Sequence, residues 1–220
     1  MFNIKALLQY ELLTEWRNRH ALNGVLLYLA ATIFICYLSF KLKRSELSPA
    51  TWNALYWIVI VFSAVSTTAK SFLGVSEGRL IYQYTLAHPV AVILSKMIYH
   101  ALLLSLVSLG GLAFYAFVMG NPIQDAGLFV LNVVLGSVGL GAAFSMIAAI
   151  AAKAGNNMTL MSVLGFPVII PILLILIKIS KNALDGLAWS VSYGNLVILG
   201  ALDVIVIITG CLLFPYLWRS

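Results

Sequence analysis

Six apolar stretches, each long enough to cross a bilayer as a helix, divide this chain: Leu22–Phe40, Trp52–Ala69, Met97–Met119, Leu128–Ala152, Thr159–Ile177 and Leu196–Leu217. A hydrocarbon core about 30 Å thick needs ~20 apolar residues at the rise of an α-helix. Hydrocarbon offers the backbone no hydrogen-bond partner, so a spanning segment must be a helix or part of a closed barrel. The runs are continuous rather than alternating, which excludes the barrel. Of 220 residues, 62% are hydrophobic and 9% are charged, too few charges to coat a soluble fold of this size. The pattern specifies an all-α, polytopic membrane protein with one domain over residues 1–220 and an interfacial helix over 2–20 ahead of the first span.

The net charge of +6 does not point to nucleic acid, because the bases are scattered over span ends, where they anchor at the membrane boundary. With the N-terminus cytoplasmic, that side carries eight bases (Lys5, Arg17, Arg19, Lys70, Arg79, Lys96, Lys153, Arg219). The other side then carries five (Lys41, Lys43, Arg44, Lys178, Lys181). The excess predicts both termini inside. Met1 to Asn23 mixes acids and bases and lacks the short apolar core of a cleavable signal. Within it Leu8, Leu12 and Trp16 recur every four residues, as an interfacial helix requires, with Lys5 and Arg19 snorkelling to headgroups; a frayed polar tail is the plain alternative. Cys36 and Cys211 fall inside the first and sixth spans, where thiols pack as small apolar groups.

Much chemistry is absent from the sequence. It contains no G-x-x-x-x-G-K-[ST] phosphate loop, so the chain cannot bind ATP by that device. It contains no H-E-x-x-H, no C-x-x-C and no cluster of acids and histidines, so no metal site or bound cofactor is expected. Glu11, Glu15, Glu46, Glu77 and Asp125 are assigned to boundaries or loops. No nucleophile and base share one membrane depth, and the chain does not read as an enzyme. His20 and His88 fall at the inner boundary, while His100 opens the third span one turn after Lys96. His100 has two readings: a ligand to haem iron or donor to a propionate, or a hydrogen-bonding residue at a helix interface. Asp203 lies well inside the sixth span. Its cost of ~2.5–3.5 kcal/mol is outweighed by a dozen apolar neighbours at ~0.3–0.6 kcal/mol each. The helix inserts and Asp203 should face the bundle or a cavity, with Lys178 or Lys181 within its reach.

One connection is unlike the others. Lys70–Lys96, 27 residues reading KSFLGVSEGRLIYQYTLAHPVAVILSK, joins spans two and three. Gly74 and Gly78 loosen its start, and Arg79 to Ala87 can form a short helix with Leu80 and Tyr84 on one side and Gln83 on another. His88-Pro89 stops that helix, and a new one starts at Pro89 and runs through Lys96 into the third span. The segment is either a handle for a cytoplasmic partner or a surface helix sealing the bundle. Trp52, Tyr56 and Trp57 at the outer start of the second span, and Tyr216 and Trp218 at the end of the last, are expected at headgroup level. In the fourth span Ser137, Gly141 and Ser145 fall four apart and flatten one face for close packing, between spans or between subunits. In the fifth, Pro167 and Pro171 each remove a backbone donor and should bend or locally unwind the helix, as a static kink or a hinge. The freed carbonyls then need neighbours or a water-lined cavity.

Six spans, an interfacial N-terminal helix and a gripped inner loop resemble an ABC-2-type permease. The stretch EGRLIYQYTLAHPVAVILSKMIYH is similar to the loop of the haem exporter protein B family, the cytochrome c maturation permease CcmB. The resemblance rests on Glu77, Gly78, Leu80, Gln83, Leu86, Pro89, Lys96 and His100. LGFPVIIPILLI, with Pro167, Ile170, Pro171 and Leu173, resembles that family's paired-proline span, and GSVGLGAAFSMIAAIAAKAGNN its small-residue span and basic turn. Asp203 is no part of the family pattern. The resemblance implies a permease homodimer, with Glu77, Gly78, Leu80, Gln83, Tyr84, Pro89 and Lys96 in its ATPase-coupling loop. It also implies a CcmA-like cytoplasmic ATPase and companions in haem handling that are CcmC-like and CcmE-like, in a bacterial inner membrane. Haem would be a transported or handled ligand. Two other readings stand: an ABC-2 exporter of another amphiphile, lipid or drug, and a secondary transporter, for which the sequence lacks internal repeats and a charged midplane site.

Overall fold

The computed structural model describes residues 4–17, 19–42, 47–73, 88–154 and 158–219. Over them run helices α1 (Ile4–Arg17), α2 (Arg19–Leu42), α3 (Pro49–Leu73), α4 (Pro89–Met119), α5 (Ala126–Lys153), α6 (Met158–Leu184) and α7 (Trp189–Arg219). Helices α2 to α7 are each long and apolar enough to span a membrane. The chain is a multi-pass, all-helical membrane protein, and the described residues include no strand.

The helices outrun the apolar windows that announce them. The third begins at Pro89 rather than Met97, the fifth ends at Leu184 rather than Ile177, and the sixth begins at Trp189 rather than Leu196. A helix needs only its own backbone bonds to continue, and the local caps decide where it stops. His88 stands extended (φ −70°, ψ 133°) before Pro89, which takes the first helical turn. Gly120, at φ +86°, ends α4 in a conformation that other residues rarely adopt. Asp125 caps α5, its Oδ1 accepting from the Leu128 amide at 2.9 Å, and its Oδ2 accepts from Trp189 Nε1 at the head of α7. The Asp125 amide donates to Ala183 O at the tail of α6, so one side chain and its backbone gather three helix ends.

Helix α5 is the axle of the bundle, packed on α3, α4, α6 and α7, whereas α2 touches mainly α3 and α4. Of the α5 span 78% is buried, against 17% of the α2 span. The reason is compositional. Gly136, Gly139, Gly141, Ala142 and Ala143 let neighbours come within backbone reach of α5. A Cβ on Gly136 would press Leu176 at 2.7 Å and Trp57 at 3.1 Å, and one on Gly141 would sit 2.9 Å from the backbone nitrogen of Ala101.

Trp52, Tyr56 and Trp57 are not a headgroup belt. All three are almost wholly buried, packed with Tyr115 and Phe129 between α3, α4 and α5. Their polar tips find partners inside. Trp52 Nε1 donates to Gly120 O (3.0 Å), Trp57 Nε1 to Ser180 Oγ (2.7 Å), Tyr56 OH to Ser108 O (3.2 Å) and Tyr115 OH to Trp52 O (3.0 Å). An amphipathic ring goes to the interface when only water can satisfy it, and here the bundle does so. Tyr216 does point outward, 77% exposed. Cys36 and Cys211 are free, half-buried thiols in α2 and α7.

Candidate functional site

The coupling-loop residues Glu77, Gly78, Leu80, Gln83 and Tyr84 lie outside the described residues. What the structure does describe is where the Lys70–Lys96 connection rejoins the bundle. Pro89 opens α4, and the same unbroken helix carries Lys96 and His100 into the membrane. Lys96 Nζ stands 3.0 Å from Glu11 Oε1 of α1, with the two side chains only 7% and 11% exposed. Glu11 is therefore not a solvated boundary residue. It faces inward, while Leu12 and Leu13 of the same helix face outward, so α1 turns its apolar surface to lipid and its carboxylate to the bundle. The pair pins α1 on α4, and removing one partner would strand the other as a buried charge.

His100, four residues after Lys96 and 2% exposed, brings Nδ1 to 2.8 Å from Ser145 Oγ of α5. The Ser145 hydroxyl hydrogen is spent on Gly141 O, at 2.6 Å, so Nδ1 carries the proton that bridges the two side chains. Ser137 donates to Val133 O (2.7 Å) and reaches Ser108 Oγ of α4 at 3.3 Å. Ser137, Gly141 and Ser145 thus form the seam between spans three and four within one chain. His100 is sealed into that seam as a hydrogen-bonding residue, and a haem iron would reach it only if α4 and α5 parted.

Asp203 of α7 is brought against α5 at Gly139, where an added Cβ would run into its carboxylate. Lys178 and Lys181 do not reach it. Neither carboxylate oxygen has a hydrogen-bond partner, and both lysines are exposed on α6. The reason is depth. Asp203 is fourteen residues into α7, roughly 20 Å along its axis, while the lysines lie in the last two turns of α6. Sequence reasoning marked Asp203 but missed Gly139 and Glu11. Gly139 gave no separate signal among so many small residues, and for Glu11 the only hint was a carboxylate within a helix otherwise suited to lipid.

Of the expected bend or local unwinding, no unwinding is present: α6 runs continuously through both Pro167 and Pro171. They point outward, flanked by Val163 and Phe166, 65% and 72% exposed. Among the described residues no neighbouring span covers that face. An apolar groove of about 620 Å³ between α2 and α4, lined by Leu26, Ala30, Leu106, Gly110 and Phe114, has no cation that would meet a propionate. Among the described residues no group of acids, histidines and cysteines is placed to hold a metal ion.

The arrangement joins one unbroken helix, which begins within the Lys70–Lys96 connection and runs into the bundle, to a helix–helix seam of small residues. Such a site can transmit movement. Comparison with curated proteins gives no match. The family model described as CcmB protein matches residues 2–216, nearly the whole chain, and the protein therefore belongs to the CcmB family, the haem exporter B permeases of cytochrome c maturation.

Proposed function

We propose that this permease couples ATP hydrolysis on a separate cytoplasmic subunit to haem export, or to release of a haem-loaded chaperone, during cytochrome c assembly. The observation that carries this reading is the continuity of α4 from Pro89, at the end of the handle, through Lys96 and His100 to Met119. A push on the handle would move one rigid rod. The Glu11–Lys96 pair would carry α1 along with it, and the His100–Ser145 bond would pass the displacement to α5. Both termini and Lys70–Lys96 are cytoplasmic in this reading, and the membrane is the bacterial inner membrane. The ATPase is CcmA-like and grips Leu80 and Tyr84, while CcmC-like and CcmE-like proteins handle haem.

A homodimer suits the outward prolines. Pro167 and Pro171 deprive the carbonyls of Val163 and Pro167 of their helical donors, and bare carbonyls in lipid are costly. A second copy against α6 would cover them. The genetic test is deletion of the gene. Expected is loss of covalently bound haem from c-type cytochromes with b-type haem proteins intact, and rescue only alongside an ATPase able to hydrolyse ATP. Normal c-type cytochromes in the deletion strain would sink the haem reading and favour export of another amphiphile.

A further inference from the structure

The transmission route from the handle through α4 does not use Asp203, yet its surroundings are specific. The residue is 4% exposed, so it is enclosed by its own chain and no partner subunit can reach it as packed. Both carboxylate oxygens lack a hydrogen-bond donor. The carboxyl group occupies the space that a Cβ on Gly139 would need, so the missing side chain on α5 makes a notch of the right shape for it.

Three helices pack on α7, namely α4, α5 and α6, and their titratable residues are engaged or directed elsewhere. On α4, Lys96 pairs with Glu11, His100 bonds Ser145, Tyr115 donates to Trp52 O, and Tyr99 stacks edgewise on His100. On α5, Asp125 and Lys153 stand at the two ends of the helix. On α6, Lys178 and Lys181 are exposed. None of them donates to Asp203.

A bare carboxylate in such a place would be an uncompensated charge in a medium of low polarity. Two occupants can relieve it, a metal cation or a proton. Hard cations gather roughly six oxygens, and here the two oxygens of Asp203 stand open, because the carbonyls of α4 and α5 are spent on their own ladders and those freed by Pro167 and Pro171 lie on the outward face of α6. A proton needs one oxygen.

We propose that the Gly139 notch makes Asp203 a proton-binding site within the bundle, loaded while α5 and α7 are packed together. When that seam opens to water, the O–H bond breaks, the proton passes to a water molecule and the negative charge stays on Asp203. The seam cannot close again until the carboxylate takes a proton back. Asp203 and Gly139 thereby form a proton-dependent latch between spans four and six. The latch is independent of whether the cargo is haem.

The test is infrared spectroscopy of the full chain in lipid vesicles at neutral pH, with carbon-13 at the aspartate carboxyl carbons. Only Asp125, Asp185 and Asp203 then carry the label. Expected is an isotope-shifted carbonyl band of a carboxylic acid without a hydrogen bond, lost in Asp203→Asn, which keeps the shape and neutrality of the acid. Gly139→Ala should convert that band to carboxylate bands by expelling the group from its notch. Labelled wild-type chain showing only carboxylate bands would overturn the proposal, whether a cation balances the charge or water solvates it. Should Asp203→Asn fail to assemble, the labelled wild-type spectrum still decides. An acid band unmoved by Gly139→Ala would overturn the role of the notch.

Discussion

The two halves of the bundle are held together by different physics. At the end where Asp125 gathers α5, α6 and α7, large rings fill the core, and the buried indole and phenol tips of Trp52, Tyr56, Trp57 and Tyr115 all have partners there. Trp57 and Asn132 both donate to Ser180, at 2.7 and 2.8 Å, and Asn132 also donates to Leu176 O at 2.9 Å. Nearer the Lys70–Lys96 connection small residues line the seams, and the side-chain contacts between helices include the Glu11–Lys96 ion pair and the His100–Ser145 bond, with the bare carboxyl of Asp203 near mid-bundle. Burying aromatic area with satisfied hydrogen bonds gives a structure that resists displacement. A seam of glycines and serines forfeits little area when it slides. The aromatic end reads as a fixed pivot and the other as the part able to move.

Substitutions can break this contrast. The largest loss is expected from Trp57→Ala, about 3–5 kcal/mol for the lost side chain together with the cavity it leaves, with Ser180 and Asn132 losing part of their network. Thermal unfolding in detergent should show it, and a second change, Ser180→Ala, should bring no recovery. A loss under about 1 kcal/mol would remove the aromatic end as pivot.

Next comes Lys96→Met, expected to cost about 3 kcal/mol because Glu11 is left buried and unpaired. Adding Glu11→Gln should recover most of that stability, since the stranded charge is gone. The sign of this double-mutant coupling separates the two halves. If the double variant is less stable than Lys96→Met alone, the ion pair is not what makes the handle half distinct.

A smaller effect, about 1–3 kcal/mol, is expected for Gly141→Ala, which forces α4 and α5 apart at Ala101. Its diagnostic companion is His100→Gln, which should keep the contact with Ser145 and stay close to wild-type stability. Equal losses in the two would mean that the seam is not set by close approach.

The least effect on stability is expected from the pair Pro167→Ala and Pro171→Ala, because both prolines face outward and restoring two backbone bonds offsets any lost packing. Function should suffer instead, read as loss of mature c-type cytochromes with the permease still in the membrane. Normal maturation would make the prolines a matter of packing alone.

Much of the fold was legible in the chain. The six apolar stretches gave six helices because a spanning segment's identity depends on its own hydrophobicity and its own backbone bonds. Pro89 as the head of the third span followed from proline's fixed φ and the extended residue before it. The site was legible in part. Spacing singled out Ser137, Gly141 and Ser145 as a flat face but left its partner open, because a flat face fits any helix. The expectation that amphipathic rings near a span end settle among the headgroups sent Trp52, Tyr56 and Trp57 to the membrane surface. In sequence they are amphipathic rings near a span end, and nothing local shows that Gly120 O and Ser180 Oγ wait inside.

The sequence by itself determined that this is a helical membrane protein with six spans, because that property is written residue by residue along the chain. Tertiary structure decided which face of each helix is inside. It turned Glu11 inward to Lys96 and left the oxygens of Asp203 without a donor in the space that Gly139 leaves open. A buried charge has no meaning along the chain. Its cost is set by what stands within a few ångströms, and packing places there residues that the sequence keeps far apart.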